Sequence, residues 1–172
     1  GMFVLTQACT DMLKYCQDGS YINLSINISP KQLLDEFFAE AAFNAVNQSG
    51  FPVERVTLEI TENVMIHNPE TVVKILQELQ AYGFGLSLDD FGTGFSSLSY
   101  LNTLPINEIK IDRSFVDKML SNDQSDSLVK AILAIGFSCD MNIVAEGVET
   151  VEQLERLISY RCQIVQGYYF DK

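Results

Sequence analysis

Basic residues are scarce. Eleven Lys and Arg stand against 23 Asp and Glu, a formal net charge of −12. That balance argues against a surface that grips a nucleic acid polymer through its phosphates, and an anionic substrate would need the help of a metal. Histidine is nearly absent as well. A single His67 cannot build a His-rich zinc centre, and Cys9, Cys16, Cys139 and Cys162 show no CxxC spacing, so any metal here must be held by oxygen. There is no apolar run near the roughly 18 residues of a membrane-spanning helix and no basic-then-apolar leader. The reading is therefore a cytoplasmic domain without direct membrane insertion, although its parent protein could be membrane-anchored. Linkers, low-complexity tracts and charge blocks are also missing, so nothing marks an internal boundary.

What is present suits one folded domain, since 47% of the residues are hydrophobic. Gly1 reads as a tag remnant, which places the domain at residues 2–172. Short β-rich runs at 22–28, 56–61, 85–90, 108–112, 142–147 and 164–170 predict six strands. Between them, 3–17, 32–48, 70–82, 126–137 and 151–159 carry helical patterning; Val72, Leu76 and Leu79, for example, share a face. Ser29-Pro30 and Asn68-Pro69 look like helix starts, and Thr150 with Gln153 fits a capping box.

Strands alternating with helices predict a parallel α/β sheet, either doubly wound or a β/α barrel. Nearly every strand ends in polar groups: Asn27, Glu59 with Glu62, Asp89 with Asp90, Lys110 with Asp112, Glu146 with Glu149, and Gln166. Sites spread over many strand ends favour the barrel. A closed barrel needs about eight strands and typically about 250 residues, so the expectation is an incomplete barrel of about six strands.

On one rim, Glu59, Asp89, Asp90 and Glu146 would crowd together, and such carboxylates cannot all stay ionised without a cation. Oxygen ligands favour Mg²⁺ or Mn²⁺, and Asn27 could add an amide oxygen. An aspartate pair could hold two metals, the arrangement that supports in-line phosphoryl displacement, while Lys110 could orient water or offset charge on phosphate. Gly92 and Gly94 would let the loop beyond the aspartates move. Each residue also has a plainer role: an acid after a strand is commonly a helix cap or a solvated loop residue. Gln32 is either a substrate contact or the far half of a capping box with Ser29. Lys110 could pair with Asp112, both looking into the barrel. His67 reads as a loop residue and the cysteines as packing residues.

Six motifs in order resemble the EAL domains, the cyclic di-GMP phosphodiesterases of bacterial signalling: SINIS at 25–29, LEITE at 58–62, DDFGTGFSSL at 89–98, LPINEIKIDRSFV at 104–116, AEGVET at 145–150 and VQGYYF at 165–170. The resemblance implies a TIM-like barrel with an antiparallel first strand and two Mg²⁺ or Mn²⁺ ions that open cyclic di-GMP to linear pGpG. It implies Asn27, Glu59 and Asp89 as ligands of one metal, and Asp89, Asp90 and Glu146 around the second. Lys110 is similar to the family's water-positioning lysine and Glu62 to its loop anchor; Asp112, Glu149 and Gln166 match further site positions.

The family's Glu-Ala-Leu strand has no counterpart in these residues, nor has its nearby arginine. The first metal site is thus expected to be incomplete, the activity of this chain impaired, and homo-oligomers expected through exposed barrel edges or a dimer face. Arg161 stands where the family often has glycine, for which only a local turn adjustment is expected. The alternative is a non-hydrolytic cyclic di-GMP sensor or partner-docking module; a weaker one is another metal-dependent barrel hydrolase or lyase.

Overall fold

The structure, a computed structural model, describes residues 2–16, 22–66, 69–93, 101 and 103–170, with only the backbone of Met65 and Ile66. Gly1, Gln17, His67, Asn68 and Gly94 lie outside the described residues, and with them the Asn68-Pro69 helix start and half of the glycine loop. Six strands are present: β1 Leu24–Ile28, β2 Val56–Thr61, β3 Gly85–Phe91, β4 Glu108–Ile111, β5 Asn142–Glu146 and β6 Ile164–Gln166. They follow one another in one sheet in chain order. The pairs β1–β2, β4–β5 and β5–β6 are parallel, as strands joined by helical crossovers must be.

The chain divides into two compact units, Gly1–Ser87 with Thr103–Pro105, and Leu88–Asn102 with Ile106–Lys172. In the first unit, helices α1 (Met2–Leu13), α2 (Phe38–Ser49) and α3 (Pro69–Ala81) accompany β1 and β2. Period-two alternation sorts β1: Ile26 and Ile28 are buried while Ser25 and Asn27 on the other face are exposed. Leu5 and Cys9 of α1, Ala42 and Val46 of α2, and Val72, Leu76 and Leu79 of α3 complete that core.

The second unit holds β4–β6 with α4 (Arg113–Lys118), α5 (Asp123–Ser138) and α6 (Val151–Ser159). Ile109 and Ile111 are fully buried, and each contributes about 2 kcal/mol by leaving water. Lys110 between them points to the opposite face. Outside the sheet, the Asp126 carboxylate of α5 joins α6: it accepts from the Tyr160 hydroxyl at 2.6 Å and from Lys130 at 2.7 Å.

Three expectations need correction. The predicted helix 32–48 is broken, because Asp35 adopts extended backbone and its carboxylate accepts the Phe37 N–H; a 3-10 turn, Gln32–Leu34, precedes α2. Strand 164–170 stops at Gln166. Beyond it the Phe170 N–H closes a turn onto Gly167 and the Tyr169 N–H reaches Val148, so the aromatic run is not extended. Strand 108–112 ends at Ile111, since Asp112 starts α4, a helix the sequence pattern did not show. The capping box of Thr150 and Gln153 is present with both its bonds.

Candidate active site

In the first unit, Asn27 and Glu59 face one another in register at the C-terminal ends of β1 and β2. Glu59 is buried and Asn27 exposed. Glu62 opens the 3-10 turn Glu62–Ile66 that follows β2. The loop segment 94–100, which Glu62 was expected to anchor, lies outside the described residues. Gln32 is engaged with Ser29: its side-chain oxygen accepts from the Ser29 N–H at 3.2 Å and the Ser29 hydroxyl at 2.8 Å, one half of a capping box, although the residue that caps the 3-10 turn Gln32–Leu34 is Lys31.

The second unit gathers the remaining candidates. Lys110 is 6% exposed, and its ammonium lies 2.6 Å from Glu146 Oε1 and 3.7 Å from Asp89 Oδ1. Strand-end logic explains the meeting. Residues of one strand that alternate with Ile109 and Ile111 share a face, and β5 beside β4 presents Glu146 on that same side. Asp90 sits at the turn out of β3 with φ 55°, in the left-handed region, and its N–H is held by the Asp89 carboxylate at 3.0 Å. Backbone strain at such a position is characteristic of functional sites.

Burial pushes the Asp90 carboxyl up from its ordinary value. The charges of Asp89 and Asp112 and a hydrogen bond with Asp112 act the same way, with Lys110 opposing them. Anionic charge is therefore in excess beside Asp90. Asp112 itself caps α4, accepting the Ser114 N–H at 3.0 Å and the Ser114 hydroxyl. It does not lie within β4 beside Lys110, so a shared strand face with Lys110 does not arise.

The turn that carries Glu146 is secured from several sides. Gln166, opposite Glu146 in register, accepts the Val148 N–H at 3.0 Å through its backbone carbonyl, and the Val148 carbonyl accepts the Tyr169 N–H at 3.0 Å. Gly167 passes so close that a Cβ there would lie 2.2 Å from the Val148 oxygen. The Gln153 side-chain oxygen accepts the Glu149 N–H at 2.8 Å and the Thr150 N–H at 3.0 Å. Glu149 is paired with Arg113 at 2.6 Å. Arg113 and Gln153 had no place among the expected site residues. Gln153 was legible only as a helix cap, and no local pattern singled out Arg113.

The donor chemistry fits a hard divalent cation: carboxylates at neighbouring strand ends, with Asp90 pushed toward its neutral form by burial and then by the charges of Asp89 and Asp112. Among the described residues, however, no three His, Cys, Asp or Glu side chains are already arranged as a metal cage. In the second unit the Lys110 ammonium lies between Asp89 and Glu146, supplying positive charge there. No helix among the described residues is long and apolar enough to cross a membrane.

Comparison with known proteins adds three findings. The family model described as "EAL domain" matches residues 1–172. The oxygen sensor protein DosP of Escherichia coli is 40% identical over 173 residues, covering all of this chain but 22% of DosP, so the chain spans under a quarter of that relative's length. Among solved structures, the PaMucR phosphodiesterase in complex with c-di-GMP superimposes with a TM-score of 0.94 at 36% identity, covering 100% of this chain and 70% of that one. The Klebsiella pneumoniae BlrP1 complex with manganese and cyclic di-GMP gives 0.89 at 25% identity, covering 98% of this chain and 43% of that one.

Proposed function

The chain belongs to the EAL domain family, of TIM-like β/α-barrel fold class, and on that premise we propose that it takes part in metal-dependent hydrolysis of cyclic di-GMP to linear pGpG. The observation that carries the proposal is the Asp89–Lys110–Glu146 cluster: a buried ammonium between two carboxylates, with a further excess of anionic charge at Asp90. Asn27, Glu59 and Asp89 would hold one Mg²⁺ or Mn²⁺, and Asp89, Asp90 and Glu146 the second. Bound divalent cations would supply Lewis acidity toward phosphate and lower the pKa of water.

The chain's own residues do the rest. Lys110 keeps its protons aimed at Glu146, and on opening of that pair it is placed to donate to an attacking water or to a phosphate oxygen that gains charge. Gln166 and Glu149 fix the turn that presents Glu146, and Asp112 fixes the start of α4 beside Asp90. Glu62 and Gln32 support the loops of the first unit. Homo-oligomers belong to the same proposal, with the exposed Ile164 and Gln166 of β6 as a surface they would use.

One observation favours a second reading. Lys110 already supplies countercharge to Asp89 and Glu146, which suits a module that binds cyclic di-GMP without cleaving it. The experiment that separates the two mixes the protein with cyclic di-GMP and Mn²⁺, follows binding by calorimetry and resolves the nucleotides by chromatography. Hydrolysis predicts pGpG from the wild type and none from Asp89→Asn or Glu146→Gln. Binding with no pGpG would overturn the hydrolytic proposal in favour of the sensor.

A further inference from the structure

We infer that Arg113 is a positioning residue that locks the Glu146 turn to the end of β4, an inference that rests on the proposed role of Glu146 for its functional consequence. Three observations converge on it. Arg113 follows Asp112 at the start of α4, three residues after Lys110. Its aliphatic stem lies on Gly147, the residue after Glu146: a Cβ at Gly147 would fall 2.2 Å from Arg113 Cγ and 2.8 Å from Arg113 Cβ. Gly147 has φ 74°, so the turn uses both the conformation and the bare surface that only glycine offers.

The guanidinium then completes the clasp. Arg113 Nη2 lies 2.6 Å from Glu149 Oε1, while Nε lies 3.3 Å from Asp117 Oδ2 within the same helix. Stem and head together therefore span residues 147 and 149, on the segment that presents Glu146 to Lys110. The pair is half exposed, with side-chain exposures of 52% and 38%, so screening leaves it little value for overall stability. Its value is geometric. The Lys110–Glu146 contact joins β4 to β5, and a small displacement of Glu146 alters where a cation or phosphate can sit. Lysine could supply the charge but not the planar fork that serves Glu149 and Asp117 at once.

The test uses Arg113→Met, which retains a stem over Gly147 without the guanidinium, Arg113→Ala, which removes both, and the exchanged pair Arg113→Glu with Glu149→Arg. Amide hydrogen exchange of the metal-free proteins reads the clasp directly. Protection of the Val148 and Glu149 amides is expected to fall about tenfold or more in Arg113→Met and further in Arg113→Ala, with Leu133 in α5 unchanged, and to return in part in the exchanged pair. Mn²⁺ titration is expected to show about tenfold weaker binding, the size typical of lost outer-shell support, with kcat toward cyclic di-GMP falling while KM holds. Unchanged protection at Val148 and Glu149 would overturn the inference, whatever the activity. Lost protection in a protein whose wild type forms no pGpG would uphold the clasp and overturn the hydrolytic function instead.

Discussion

Replacing Lys110 with methionine keeps most of the side-chain volume and deletes the charge between Asp89 and Glu146. In the metal-free protein the two carboxylates then remain, at side-chain exposures of 14% and 22%, without the ammonium that lies 3.7 and 2.6 Å from them. Removing one partner of a buried ion pair costs about 3–5 kcal/mol. Partial access of water to both acids lowers that to about 2–3 kcal/mol. At about 2–4 °C per kcal/mol for a chain of this size, Tm should fall by roughly 4–12 °C. Added Mn²⁺ should raise Tm more in Lys110→Met than in the wild type, because in the variant the cation alone neutralises the cluster. Hydrolysis should fall about 10²–10³-fold, as when one preorganised electrostatic donor is removed. Thermal unfolding with and without Mn²⁺ measures all but the last. A variant as stable as the wild type, or an equal Mn²⁺ shift in both, would refute the claim that Lys110 supplies the cluster's countercharge.

Other perturbations follow from the same contacts. Arg161 has φ 66° in the turn after α6, where its N–H and that of Cys162 close the helix onto Ile158 and Leu157; Arg161→Gly should stabilise the protein by about 0.5–1 kcal/mol in denaturant melts. Gly167→Ala would drive a methyl into the Val148 backbone, with a loss of about 3 kcal/mol and a drop in hydrolysis as the Glu146 turn shifts. Asp126 tests pH dependence. Burial pushes its carboxyl up, but Lys130, Tyr160 and Arg156 together outweigh burial and hold it below the ordinary carboxylate range. A depressed folded pKa gives stability that is present above the unfolded pKa and lost as pH falls through the folded one. Asp126→Asn should thus cost about 1 kcal/mol at pH 7 and almost nothing well below pH 4, read by urea unfolding across pH.

Strand positions were legible because apolar alternation and polar strand ends report the same geometry twice. The pattern that put Ile109 and Ile111 in the core also put Lys110 on the face where Glu146 lies. The failures have local causes. The aromatic run after Gln166 has strand propensity, yet the backbone of Gly167 must pass Val148 too closely for a continued ladder. Helix α4 has six residues, too few for a hydrophobic period to show, and its cap Asp112 looks the same as a strand-end acid in sequence. Arg161, expected to bring a local turn adjustment, has left-handed backbone, the conformation a glycine would adopt without strain. Arg113 was invisible for a different reason: its partner Glu149 is 36 residues away, and no local pattern announces such a contact.

The central claim is tested most directly by incubating the protein with cyclic di-GMP in Mn²⁺, in Mg²⁺ and in chelator, and resolving the products by chromatography. The account predicts linear pGpG with either cation, none in chelator, and none from Glu146→Gln. Cyclic di-GMP left intact in all three conditions, or pGpG formed as fast by Glu146→Gln as by the wild type, would contradict it.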